Sequence, residues 1–301
     1  MFSRELELRG RAFVNYGALK EVEVKDMTID GFPAKLFFNP ARVRSVMADV
    51  SPEALQKRVC FLCPDGLEPL QLTTVWDSPT GQTYFIRVNP FPIFNHHFTI
   101  SSAIHERQTF APHMESMLHL AKELPEMTIF YNGPMCGASA PDHMHFQAVP
   151  RHSLPIEDHF DANYANAILV QETDLQTHLA AVKKVLAMGT IPEEASQTGS
   201  LTAGASHAEE YEPRWNIVSW YEPASSPHCL IASSPKFNTI VFFRRESRPM
   251  CFFAPEEERI LFSPGTVEMG GVGIVANRES FDRLTPSKLH DIIREVADEI
   301  V

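Results

Sequence analysis

Apolar and polar positions alternate with a period of two along most of this chain, and a helical period replaces that alternation in only a few places. From residue 1 to about residue 50, residues 11–16, 22–24 and 34–38 alternate and predict strands, and Asp30-Gly31-Phe32-Pro33 is a turn signal between the later ones. Asn39-Pro40-Ala41-Arg42 opens a short helical stretch, and Ser51-Pro52 is a helix start with serine as N-cap and proline at the first helical position. Residues 83–90 predict a strand. Met114, Met117, Leu118 and Ala121 then recur at the spacing of one buried helix face, and residues 127–132 predict a strand running into a loop.

A helical pattern over residues 175–188 ends at Gly189, a natural C-cap. Residues 191–213 are acidic, small and polar and predict a loop or linker. Strands return at 215–221, 228–232, 238–245 and 269–276, and a helix starting at Thr285-Pro286 closes the chain.

His143, His145 and Gln147 alternate with Met144, Phe146 and Ala148, so a strand here places two imidazoles and an amide on one face. Alone, such a pair is an ordinary strand with two satisfied histidines. The loop before it carries Asn132, Gly133, Gly137, Ala138 and Ser139, small residues that let backbone N–H groups approach an anion. Cys60 and Cys63 form a Cys-x-x-Cys, which by itself reads equally as a redox pair or as half of a zinc site.

At 301 residues the chain is long enough for about two domains. No window offers about 18 apolar residues and the N-terminus lacks a targeting pattern, so the expectation is a cytoplasmic protein without a membrane partner. A formal charge of −12 argues against a nucleic-acid partner, which needs a basic field, whereas a nucleotide pocket needs only local positive charge. Five cysteines, an odd number, fit reduced thiols better than a disulfide framework.

The small-residue loop running into His143-Met144-His145-Phe146-Gln147 resembles the histidine triad superfamily, in its nucleotidyltransferase branch where glutamine replaces the third histidine. That branch holds galactose-1-phosphate uridylyltransferases, diadenosine tetraphosphate phosphorylases and GDP-hexose phosphorylases. Ser139 lies six residues before His145, one more than in the uridylyltransferase pattern. The resemblance implies an α+β fold, an antiparallel sheet with helices, duplicated into two halves of which the second lacks the motif. Residues 1–155 are then the catalytic half, 156–212 a helix and acidic linker, and 213–301 the second half.

The resemblance further implies that His145 is the nucleophile, with Gln147 assisting. Cys60, Cys63, His105 and His143 would bind a structural zinc ion, and Asn89 would meet ribose hydroxyls. Loop residues Asn132, Gly137, Ala138 and Ser139 would bind phosphate. Arg42 and Arg44, and the cluster Arg244, Arg245 and Arg248, are further candidates for phosphate or sugar, of which Arg42, Arg244 and Arg248 are taken as substrate-binding. Phe91, Phe94 and Phe98 are core or base-stacking residues, while His96 and His97 read as solvent-facing and carry no assigned role.

An amide cannot act as a general acid at neutral pH, so the leaving group must depart as a stable anion. The expected activity is therefore transfer or phosphorolysis on a nucleoside diphosphate sugar or dinucleoside polyphosphate, with phosphate or a sugar phosphate as partner. A hydrolase, or a zinc-stabilised nucleotide binder without turnover, remains as an alternative. A homodimer is also open, since two chains share a site in several relatives.

Overall fold

In the computed structural model, residues 2–47, 49–67, 71–189, 212–224 and 233–298 are described. The predicted strand at 228–232 and nearly all of the predicted linker lie outside them.

Strands β1 (Glu23–Ile29) and β2 (Phe32–Phe38) form a hairpin. Asp30 (φ 49°) and Gly31 (φ 91°) supply the two left-handed residues that a tight two-residue turn needs. Residues 11–16 depart from the alternation reading, because they belong to a helix over Phe2–Ala18 that is interrupted at Gly10 (φ 76°, ψ 156°). The stretch is rich in Leu, Glu and Arg and has few β-branched residues, so helix propensity outweighs a six-residue alternation. Asn15 Nδ2 donates to the Pro90 carbonyl at 2.7 Å and Tyr16 Oη to that of His97 at 2.8 Å, which ties the helix to the segment from 90 to 97.

Eight strands make the main sheet: β3 (Thr73–Asp77), β4 (Thr83–Val88), β5 (Phe98–Ser102), β6 (Met127–Asn132), β7 (His145–Pro150), β8 (Ala167–Glu172), β9 (Trp215–Glu222) and β10 (Lys236–Phe243). Their spatial order is β3-β4-β5-β7-β6-β9-β10-β8, antiparallel throughout. One connectivity occurs twice in it. β5, the helix Met114–Glu123, β6 and β7 are followed by β8, the helix Leu175–Leu186, β9 and β10, with β7 central in the first unit and β10 in the second. The corresponding strands β6 and β9 pair antiparallel, Phe130 opposite Val218.

Alternation along these strands divides two cores. Ile129, Tyr131, Phe146, Ile217 and Val241 face the helices Met114–Glu123 and Leu175–Leu186. Complete burial of a side chain such as Phe146 contributes roughly 1.5–3 kcal/mol. Phe130, Val149, Val218, Ile240 and Phe242 face the other way. There they meet a second sheet, in which β11 (Val272–Val275) pairs parallel with β2, and the helix Pro286–Val296 with its Thr285 cap.

The helix Leu175–Leu186 ends three residues before Gly189, whose N–H donates to the Leu186 carbonyl at 3.0 Å. Among the described residues, no helix is long and apolar enough to cross a membrane.

Candidate active site and metal-ligand cluster

A cavity of about 640 Å³ opens on the face of the main sheet that carries His145 and Gln147, within the size range of small-molecule sites. Its lining includes Arg11, Arg42, Arg58, Asn89, Phe91 and the loop residues Asn132, Gly137, Ala138 and Ser139. The rest of its lining comes from late in the chain: Arg214, Arg248, Ser263 and the turn from 265 to 268. Five arginines therefore face three carboxylates, Asp49, Glu246 and Glu268, a local excess of positive charge in a chain of −12 overall. Burial, partly offset by Glu268, lowers the Arg42 pKa only to about 10, so it keeps its charge at neutral pH.

His145 is 4 % exposed at the start of β7. Its Nδ1 lies 2.8 Å from the His143 carbonyl oxygen, so Nδ1 carries the proton and Nε2 keeps its lone pair. Gln108 brackets the residue, its Oε1 accepting the His145 N–H at 2.8 Å and its Nε2 donating to the His145 carbonyl at 3.0 Å. Burial, outweighing the bond to the His143 carbonyl, lowers the imidazole pKa to about 4.

Two amides beside it have fixed orientations. Asn132 Oδ1 accepts from the Thr266 N–H (2.8 Å), the Thr266 hydroxyl (2.9 Å) and Asn216 Nδ2 (3.1 Å). Its N–H₂ end is thereby left for the cavity. Gln147 Oε1 accepts from His97 Nε2 at 2.9 Å and, more distantly, from Asn89 Nδ2 at 3.4 Å. The loop is pressed against the turn at 265: Gly137 has φ 96°, and a Cβ there would stand 2.9 Å from the Gly265 Cα. Only glycine fits that position.

Cys60, Cys63, His105 and His143 form a cluster whose ligand atoms all lie within 4.8 Å of one another. Cys60 Sγ is 3.3 Å and Cys63 Sγ 3.5 Å from His143 Nδ1, and Cys63 Sγ is 3.2 Å from His105 Nδ1. A tetrahedral zinc ion with its usual bond lengths holds sulfur and nitrogen about 3.5 Å apart, so this donor set fits such an ion. His143 Nε2 donates to the Ser102 carbonyl at 2.9 Å, which leaves Nδ1 as the ligand atom. Burial opposes ionisation of Cys60, but the His143 imidazole and nearby backbone amides outweigh it and bring the thiol down to about 6. Burial and the Cys60 sulfur hold Cys63 up at about 11, a conflict that a divalent cation relieves.

Several expectations change here. Arg244 is 3 % exposed and away from the cavity wall, its guanidinium donating to the carbonyls of Val296, Pro264, Glu246 and Ser247 and to Asn216 Oδ1. It joins parts of the scaffold instead of meeting substrate. Arg245 points to the Glu295 carbonyl, whereas Arg248 lines the cavity and stacks on Phe252 at 4.3 Å. The Arg44 side chain lies outside the described residues.

Asn89 lines the cavity, yet its Oδ1 accepts the Phe91 N–H at 2.8 Å and its Nδ2 donates to Thr99 Oγ1 at 2.9 Å. The amide is turned toward its own fold, not set out for a diol. His97, read as solvent-facing, is fully buried, while His96 beside it is exposed with φ 59°. Arg11, Arg58 and Arg214 carry no local pattern; topology alone collects them.

No curated protein matches the chain by sequence. Residues 1–150 match a family described as a domain of unknown function (DUF4922). Among solved structures, the chain is similar to yeast Ap4A phosphorylase Apa2, with 14% identity, 97% of each chain covered and a TM-score of 0.56. It is also similar to the same yeast enzyme in complex with AMP, with 13% identity, 96% of this chain and 95% of the other covered, and a TM-score of 0.54. The chain thus shares its fold with yeast Ap4A phosphorylase Apa2, and its first 150 residues match the family described as DUF4922.

Proposed function

We propose that the protein is a nucleotidyltransferase of the phosphorylase type, acting on a dinucleoside polyphosphate or a nucleoside diphosphate sugar through a nucleotidyl-histidine on His145. The observation that carries this reading is the neutral imidazole at the cavity wall, its Nδ1–H bonded to the His143 carbonyl and its Nε2 free to attack.

In the first step Nε2 bonds to the α-phosphorus, the bond from phosphorus to the bridging oxygen breaks, and the leaving group departs as an anion. The Nδ1 proton stays on the ring, and the His143 carbonyl stabilises the resulting cation. In the second step an oxygen of phosphate, or of a phosphorylated acceptor, bonds to the α-phosphorus as the P–N bond breaks. The Asn132 and Gln147 N–H₂ groups and Arg42 stabilise charge on the non-bridging oxygens.

Arg214 and Arg248, which also line the cavity, fit the remaining phosphates of the leaving group or acceptor. The yeast enzyme's name favours dinucleoside polyphosphates as the first substrates to try. The repeated strand–helix–strand–strand connectivity supports reading the later unit as a copy that lacks His-x-His-x-Gln.

The cluster Cys60, Cys63, His105 and His143 would hold a zinc ion, which would supply the charge that fixes these four side chains. Bound there, it would fix His143, and with it the carbonyl that orients His145.

The test is a panel of dinucleoside polyphosphates and nucleotide sugars labelled at the α-phosphorus. An acid-labile label on His145, discharged by inorganic phosphate, is expected. No label and no phosphorolysis across the panel would overturn the reading in favour of a binding protein.

A further inference from the structure

We propose that His97 is a positioning residue that fixes the Gln147 amide with its N–H groups toward the cavity, and so biases the site against water as acceptor of the nucleotidyl group. The inference rests on the nucleotidyl-transfer reading and adds to it a determinant of the acceptor.

The orientation follows from backbone groups whose polarity is not in question. The Ile93 N–H donates to His97 Nδ1 at 3.1 Å, so that nitrogen is unprotonated and the proton sits on Nε2. The Nε2–H then donates to Gln147 Oε1 at 2.9 Å. The Phe91 N–H likewise fixes Asn89, leaving Nδ2 as the end that faces Gln147. A flipped Gln147 would set its N–H₂ against both donors, and each bond lost disfavours that form by about tenfold.

His97 is itself held. Tyr16 Oη donates to its carbonyl at 2.8 Å and accepts its N–H at 3.0 Å. Burial, with the charge of Arg42 second, lowers the ring's pKa to about 3, so the neutral tautomer persists at neutral pH.

The consequence for acceptor choice is chemical. A water that attacks the α-phosphorus must give up a proton and is oriented by an acceptor. Gln147 Oε1 has two lone pairs, and two donors already approach it. What Gln147 presents is N–H alone, which suits the oxygens of an anionic phosphate acceptor. In phosphorolysis the P–N bond to His145 breaks as phosphate oxygen bonds to phosphorus; in hydrolysis water oxygen forms that bond and releases a proton.

The test compares His97→Asn with His97→Gln. Asparagine keeps an acceptor where Nδ1 meets the Ile93 N–H and lacks a donor at Nε2, whereas glutamine places an N–H₂ at the Nε2 position. The readout is how the labelled nucleotidyl-enzyme partitions between inorganic phosphate and water. His97→Asn is expected to raise the ratio of hydrolysis to phosphorolysis by about tenfold, the worth of one hydrogen bond, and His97→Gln to keep the wild-type ratio.

A purely structural role would slow both routes together and leave the ratio unchanged, which overturns the proposal while the labelling of His145 still stands. Absence of any label on wild-type His145 overturns the parent reading and this one with it. Should the variants not fold, the ¹⁵N NMR signals of the wild-type imidazole decide: an Nε2–H tautomer at His97 supports the proposal, and an Nδ1–H tautomer overturns it.

Discussion

His145 Nδ1 lies 2.8 Å from the backbone oxygen of His143, and His143 Nδ1 faces the sulfurs of Cys60 and Cys63. Two residues of one strand entry thus join the proposed nucleophile to the proposed metal shell through a carbonyl group.

His145→Asn separates chemistry from scaffold. The asparagine amide can still donate to the His143 carbonyl, but it has no nucleophilic lone pair. Phosphorolysis should fall on the order of 10⁴-fold or more and the covalent label should vanish, with little change in the thermal midpoint. Retention of label in this variant would remove His145 from the reaction.

Metal removal should act on fold and activity together. Native protein is expected to carry one equivalent of zinc by elemental analysis, and Cys63→Ser or a strong chelator should remove it. Stability should drop by several kcal/mol in denaturant melts, since binding energy at such a site is folding energy. Because the shell fixes His143, labelling of His145 should be lost in parallel. Full activity in metal-free protein would contradict the shared scaffold.

The sequence was most readable where the chemistry is local. The alternation of His143, His145 and Gln147 needs only the period of a strand, and the helix from Met114 to Glu123 needs only its apolar face. Arg58 and Arg214, by contrast, line one cavity through the connection of distant strands, which no window of sequence contains. His96 and His97 are adjacent and chemically alike. The left-handed turn at His96 sends one ring to solvent and the other into the core. The same limit applies at Arg244 and Arg248: the first is consumed by backbone carbonyls and the second lines the cavity. Charge density along the chain does not carry that distinction.

Arg244→Met should therefore unfold the protein before it affects substrate affinity. The substitution keeps side-chain volume but strands the carbonyls of Val296 and Pro264 and the Asn216 amide oxygen. A loss of roughly 3 kcal/mol or more is expected from denaturant melts. KM of the remaining folded enzyme should stay near the wild-type value. A large rise in KM without a stability change would return Arg244 to the substrate site.

Glu212 should give the fold a measurable pH dependence. Its carboxylate accepts the Phe110 N–H at 2.7 Å and the Tyr131 hydroxyl, and burial, outweighing those bonds, raises its pKa from 4.5 to about 7. A raised pKa means that the folded state binds the proton more tightly than the unfolded chain does. The associated stability is complete below about pH 4.5 and is lost as pH rises through about 7. Within that window the slope from this group is at most about 1.4 kcal/mol per pH unit. Glu212→Gln retains one acceptor oxygen and cannot titrate, so denaturant melts between about pH 5 and about pH 8 should show a flatter stability profile for the variant than for wild type. Equal slopes in the two proteins would mean that Glu212 stays ionised in the folded state and that its hydrogen bonds outweigh its burial.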